Sequence, residues 1–100
     1  MPGIDLEDIN DVIHGRIRLG IMVYLAESDV ADFTELKTAL KTTQGNLSIH
    51  LRKLEDAGYI TIDKSFLGRK PLTRARLTKP GRKALSAYIE SMAQLIERLS

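Results

Sequence analysis

Thr43-Gln44-Gly45-Asn46-Leu47-Ser48-Ile49-His50-Leu51-Arg52-Lys53-Leu54-Glu55-Asp56-Ala57-Gly58 is the stretch on which the fold turns. At about 100° per residue, Leu51, Leu54 and Gly58 fall within about 40° of Leu47, and Gly45, Ile49, Arg52 and Asp56 lie opposite. The spacing predicts a helix from Gln44 to about Ala57. Thr43 supplies a side-chain cap for its first turn, and Gly58 ends it at a position where positive φ costs glycine little. Three leucines anchor one face in a core. The other face is small, polar or basic over most of its length, with Asn46, Ser48 and Lys53 at its flanks.

Upstream, Lys41 and Thr42 form a turn, and Thr34 is a plausible cap for a helix over Glu35–Leu40 with Leu36, Ala39 and Leu40 apolar. Ser28–Phe33 is a connection that can hold a short strand at Ala31–Phe33. Leu6–Glu27 is a helical block that Gly15 divides. Its residues Ile13, Ile17, Ile21, Tyr24 and Leu25 share one side, and Leu19, Met22 and Val23 the other, so it needs cover on both. Downstream, Tyr59–Phe66 alternates, with Ile60 and Ile62 against Thr61 and Asp63, as a strand does. Leu67–Leu72 contains Gly68 and Pro71 and is expected as a turn or loop. Thr73–Thr78 alternates again, Arg74 and Arg76 against Ala75 and Leu77. Thr78 caps a last helix with Pro80 in its first turn; its apolar stripe is Leu85, Tyr88, Ile89, Met92, Ile96 and Leu99, with Leu95 beside it.

The expected fold is therefore mainly α with a small antiparallel β-hairpin (α+β), a winged helix-turn-helix. One hundred residues fit one domain over 1–100. Within it, 1–27 hold the N-terminal helices, 34–58 the helix-turn-helix, 59–78 the wing and 79–100 a C-terminal dimerisation helix. With 43% hydrophobic and 28% charged residues the chain can build a core, which argues against disorder. It has no cysteine, which excludes disulfides and thiolate metal sites. The N-terminus is acidic and lacks the pattern of a signal peptide, and no apolar run approaches the roughly 18 residues of a membrane span. A cytoplasmic protein without membrane contact is expected.

The net charge of +2 conceals a segregation. Residues 1–40 carry three Lys/Arg against eight Asp/Glu, a net −5; residues 41–83 carry eleven against three, a net +8; residues 84–100 carry one against two, a net −1. A basic middle between acidic ends points to one polyanion-facing surface. On the Gln44–Ala57 helix, Gln44 and Asn46 have the donor–acceptor pairs to match adenine, Arg52 matches guanine, and Ile49 can touch a thymine methyl. Gly45 and Ser48 are small enough for close approach. Thr43 and Ser48 can donate to phosphate at the helix N-terminus, and Lys53 adds charge. Lys64, Arg69, Lys70, Arg74 and Arg76 make the hairpin basic, as backbone contacts or a minor-groove insertion require. His50 fits a structural or phosphate-contacting role and His14 a packing or interface role. Two histidines so far apart, without cysteine, make a poor metal site. No nucleophile–base pair, phosphate loop or metal constellation is present, so no enzyme and no cofactor are expected.

The run Phe33-Thr34-Glu35-Leu36, the Gly45–Ile60 segment, and Gly68-Arg69-Lys70-Pro71 followed by Thr73-Arg74-Ala75-Arg76-Leu77-Thr78-Lys79-Pro80-Gly81-Arg82 resemble the small winged-helix regulators of the MarR/ArsR type. The resemblance covers roughly Ile13 to Tyr88. It implies a dimer built from terminal helices, with each third helix in a major groove, each wing beside it, and repression or activation of nearby genes. The chain lacks the cysteine ligands of ArsR-type metal sensors. Its terminal helices are shorter than those that form an effector cleft in MarR proteins, so a small-molecule effector is compatible with the class but not indicated. Its hairpin tip is basic where the MarR wing often carries an aspartate.

Dimerisation is expected on independent grounds, because the C-terminal stripe is longer than a core of this size needs and the first helix is apolar on both sides. The candidate interface is Leu6, Ile9, Ile13, Leu19, Met22, Leu85, Tyr88, Ile89, Met92, Leu95, Ile96 and Leu99. A two-fold dimer would set two reading helices roughly 34 Å apart. The leading expectation is a sequence-specific double-stranded-DNA-binding regulator, with repression its expected action. An architectural DNA binder without base preference, and a winged helix used for protein–protein contact, are the alternatives.

Overall fold

A computed structural model describes residues 6–99. The outer ends of the expected first and last segments, residues 1–5 and Ser100, lie outside the described residues. Helix α1 spans Arg16–Ser28, strand β1 Val30–Asp32, α2 Phe33–Ala39, α3 Gln44–Asp56, β2 Ile60–Leu67, β3 Lys70–Leu77 and α4 Lys79–Glu97. The three strands form one antiparallel sheet in the order β1-β3-β2. Four helices with this sheet make a winged helix. The hairpin of the sequence reading is thus two strands of three, and β1 adds an edge to it.

Local chemistry accounts for each boundary. Gly15 divides the N-terminal block, but what precedes it is not a full helix. A single 3-10 turn at Leu6–Asp8 is followed by a turn in which Asn10 Oδ1 accepts from the backbone N–H groups of Val12 (2.9 Å) and Ile13 (3.2 Å). Asparagine competes with helical hydrogen bonding in this way. Helix α2 begins two residues earlier than Thr34 suggests, because Asp32 is the cap. Its carboxylate accepts from Glu35 N at 2.8 Å, and Glu35 Oε1 accepts from Asp32 N at 3.4 Å, a reciprocal capping box. Thr43 caps α3 as expected, accepting from Asn46 N at 3.2 Å.

The wing corrects a second boundary. Leu67 and Lys70–Leu72, expected in a loop, are strand residues paired to the tip, with Leu67 opposite Lys70 and Phe66 opposite Pro71. Only Gly68 and Arg69 turn the chain. Gly68 has φ 65° while Arg69 has no positive φ, the pattern of a two-residue II′ hairpin that needs glycine first. Pro71 is tolerated because β1 pairs only with Arg74–Arg76, so among the described residues no strand pairs with β3 on its other side near the tip.

The core is built from Ile13, Ile21, Met22 and Leu25, from Leu36, from Leu47, Leu51 and Leu54 of α3, and from Ala31, Ile60, Ala75, Leu85 and Tyr88. This corrects the expected interface. Ile13 and Met22 are fully buried and Leu85 and Tyr88 nearly so within one chain, so none of the four is available to a second copy. Leu6, Ile89, Ile96 and Leu99 remain exposed, and Ile9, Leu19, Met92 and Leu95 are half-buried. The molecule measures 61 × 26 × 21 Å with a radius of gyration of 15.2 Å, against roughly 13 Å for a compact 100-residue domain. Two elements project: no described residue of α4 beyond Tyr88 is buried, and none of β2 beyond Ile60.

Candidate nucleic-acid interface

Helix α3 is held from behind by Leu47, Leu51 and Leu54, with 0%, 3% and 0% of their surface exposed. That anchoring turns Gln44, Gly45, Asn46, Ser48, Ile49, Arg52 and Lys53 to solvent together with the cap Thr43. No carboxylate occurs before Glu55, so the N-terminal half of the helix offers its positive dipole end and small polar side chains to an anion. Glu55 and Asp56 close the other end.

Beside α3 an open groove separates it from the hairpin. Gln44, Ser48, Arg52, Glu55 and Asp56 line one wall, Ile62, Lys64, Pro71, Leu72 and Thr73 the other, and Asp32, Phe33 and Thr34 close an end. Arg52 and Lys64 therefore face one cleft from two elements. Neither they nor Lys53, Arg69, Lys70, Arg74 and Arg76 form an ion pair with another described residue. The Arg82–Asp29 pair, at 3.5 Å, joins α4 to the end of α1 instead. Arg52 thus has its five donors unpaired among the described residues.

The hairpin cations do not act as one group. Lys64 shares the face of Ile60, Ile62 and Phe66 and borders the groove, and Arg69 and Lys70 sit at the tip. Arg74 and Arg76 alternate with buried Ala75 and so occupy the outer side of the sheet, away from the core-facing side. Arg74 stands directly opposite two carboxylates, Asp63 on β2 and Asp32 on β1. Opposite charges in that position offset one another. The structure therefore separates Arg74 and Arg76 from the α3 surface that Lys64 adjoins.

Three features escape periodicity. Arg18 of α1 donates from Nε to Val12 O (2.5 Å), from one terminal nitrogen to Asp11 O (3.5 Å), and from the other to His50 Nδ1 (3.3 Å). It thereby ties the N-terminal turn to the back edge of α3. Asn10 Nδ2 donates to Tyr59 Oη (2.8 Å), and His14 Nδ1 meets Tyr88 Oη at 2.8 Å, so both tyrosines fasten the same turn. His14 is exposed and hydrogen-bonded rather than packed inside. Third, Phe66 and Leu67 stand out from the hairpin tip.

Since arginine can only donate, His50 Nδ1 is the acceptor and the ring is neutral. Partial burial, then the charges of Arg18 and Lys53, lower the His50 pKa below the ordinary value of about 6.5. Below that value the unfolded chain binds the proton more readily than the folded one, so His50 subtracts stability as pH falls from about 6.5 through the lower folded pKa. His50→Gln is expected to flatten that part of the stability–pH curve. Denaturant titrations between neutral and mildly acidic pH check this, and an unchanged slope would assign the effect to another group.

The fold and this surface define a helix-turn-helix with a wing, the architecture of transcription regulators. The chain belongs to the winged helix DNA-binding domain family, whose family model matches residues 17–96. It is 32% identical over 88 residues, covering 88% of this chain and 96% of the relative, to an uncharacterized protein of Methanocaldococcus jannaschii. It is similar in structure to a transcriptional regulator homologue protein from Pyrococcus horikoshii OT3, with TM-score 0.83 and 30% identity over 89% of this chain and 88% of that one. Fold alone is shared with a MarR family transcriptional regulator from Silicibacter pomeroyi (TM-score 0.68, 17% identity, 94% of this chain and 62% of that one) and with an ArsR family transcriptional regulator (TM-score 0.59, 22% identity, 92% and 90%). The expected class is thus the one found. Among the described residues no helix is long and apolar enough to cross a membrane, and no three histidine, aspartate or glutamate side chains group as a metal site.

Proposed function

We propose that this protein is a homodimeric, sequence-specific regulator of transcription, acting as a repressor in the cytoplasm without catalysis. The observation that carries this reading is the outward face of α3. Seven adjacent exposed residues from Gln44 to Lys53, free of acid, lie across a groove from Lys64, and Arg52 has no ion-pair partner among the described residues. Such a face is made for base edges in a major groove, with Gln44, Asn46, Ile49 and Arg52 reading and Thr43, Gly45, Ser48 and Lys53 positioning. Arg69 and Lys70 hold the flanking backbone. Two copies are joined through the exposed part of α4, so that paired α3 helices meet successive turns of one duplex.

The test is fluorescence anisotropy with the duplex upstream of its own gene and a scrambled control, each at several salt concentrations. Tighter binding upstream, falling steeply with salt, is the expected result. Equal binding to both would favour an architectural role, and no binding at low salt would remove DNA from the account. Arg52→Ala is expected to lose about 1–3 kcal/mol of binding and to relax preference at one base pair, as removal of a bidentate guanine contact does. Competition with single-base variants of the duplex reads this. An equal loss on every sequence would make Arg52 a backbone contact.

A further inference from the structure

We infer that the wing tip is an apolar wedge, in which Phe66 enters the minor groove beside the α3 site, unstacks a base step and bends the duplex. The inference rests on the DNA-binding reading and names what the hairpin adds to it.

Phe66 is 72% exposed and Leu67 70% exposed, adjacent at the end of a projecting hairpin. Scattered exposed apolar residues are ordinary, but these two project to opposite faces of the ribbon, Phe66 to the side of Lys64 and the groove and Leu67 to the outer side, so the tip is apolar on both faces. The tip is pre-shaped: strand pairing runs unbroken to Leu67 and Lys70, a two-residue turn closes it, and Pro71 stands opposite Phe66 with its own φ restrained. Cations surround the apolar pair, with Lys64 two residues along on the face of Phe66, Lys70 opposite Leu67, and Arg69 in the turn. No acid occurs from Lys64 to Arg74. An apolar partner protein would leave those cations unpaired. A duplex groove meets both demands, with phosphates at its rims and stacked base faces inside. The location agrees, since Lys64 and Pro71, which share the face of Phe66, also line the groove shared with Gln44, Ser48 and Arg52.

A wedge pays the cost of unstacking, so it selects steps that unstack easily. Pyrimidine–purine steps such as TA do, and A-tracts do not. Phe66 would therefore set specificity at base pairs with which no side chain forms a hydrogen bond.

The experiment uses two end-labelled duplexes of about 30 base pairs, one alternating TA and one an A-tract, equal in composition and charge but different in deformability. Energy transfer between the ends reports bending, and anisotropy reports affinity. The chain is expected to prefer the alternating duplex by about tenfold or more and to bring its ends closer. Phe66→Ala should lose both the preference and the bend while keeping salt-dependent binding, and Phe66→Trp should retain both. Arg69→Ala with Lys70→Ala should weaken binding to both duplexes alike. Wild-type binding and bending by Phe66→Ala would overturn the wedge and leave DNA binding intact. A change in sedimentation of free Phe66→Ala would overturn it too, by seating the tip against a second copy. Failure of the wild-type chain to bind either duplex at low salt would overturn the DNA-binding reading and the wedge with it.

Discussion

Ile89→Glu combined with Ile96→Glu is expected to give a folded monomer that binds its DNA at least about a hundredfold more weakly, because one half-site then binds without the effective concentration supplied by the other. The reason lies in where α4 stops touching its own chain. Gly81, Leu85 and Tyr88 are buried, and the same stripe continues through half-buried Met92 and Leu95 to Leu99, which is 91% exposed. Ile89 and Ile96, 52% and 63% exposed, widen it on one side. Met92 still packs against the core, but Ile89, Ile96 and Leu99 keep more than half of their surface in water. In the proposed dimer a second copy, related by a two-fold axis, would supply the same stripe in return. Both substituted side chains are largely in water, so the circular dichroism spectrum and melting point should hold. Sedimentation equilibrium reads the mass and anisotropy the affinity. A wild-type chain that already sediments as a single protomer would end the dimer proposal, and a double variant that still dimerises would move the interface to Leu6, Ile9 and Leu19.

Gly81→Ala is expected to destabilise the fold by about 3 kcal/mol or more, although alanine ordinarily favours a helix over glycine by about 1 kcal/mol. Gly81 lies in the first turn of α4, where its N–H is capped by Thr78 Oγ1 at 2.9 Å. The Thr78 hydroxyl donates in turn to Gly58 O (2.7 Å), and Thr78 N to Tyr59 O (3.0 Å). The start of α4 is thus laid on the backbone between α3 and β2. A Cβ at Gly81 would stand 2.0 Å from Tyr59 O and 2.8 Å from Tyr59 C. Backbone cannot swing aside as a side-chain end can, so the junction of α3, wing and α4 must open. For a domain of this size the midpoint of a thermal melt should fall by more than about 10 °C. Gly45→Ala is the control. Nothing lies within 4 Å of a Cβ there, so the same substitution should raise the melting point slightly. A melting point for Gly81→Ala equal to wild type would mean that the junction yields more easily than its geometry implies.

Legibility differed by residue. The α3 face was readable because three leucines at helical spacing leave little choice about which side is buried, and Thr43 and Gly58 mark its ends. The start of α2 was less so, since Asp32 and Thr34 are both good caps. The signal that separates them, Asp32 followed three residues later by Glu35, was present in the sequence. The wing turn was misplaced because Gly68 and Pro71 both suggest a loop, whereas strand pairing absorbs Pro71 where β3 has no second neighbour. The apolar character of Phe66 and Leu67 was visible, but not that the hairpin carries them clear of the core.

By itself the sequence determined the order of elements, the exposed face of α3, the alternation of the hairpin and the segregation of charge. Each follows from the covalent spacing of side chains along a regular backbone. Tertiary structure alone decided which apolar residues the chain buries for itself. Ile13, Met22, Leu85 and Tyr88 look as available in the sequence as Ile89 and Ile96, and only packing separates them. It also decided that Arg74 faces Asp32 and Asp63, that Arg18 reaches His50, and that Gly81 admits no side chain. These depend on distances between segments far apart in the chain, which no local pattern encodes.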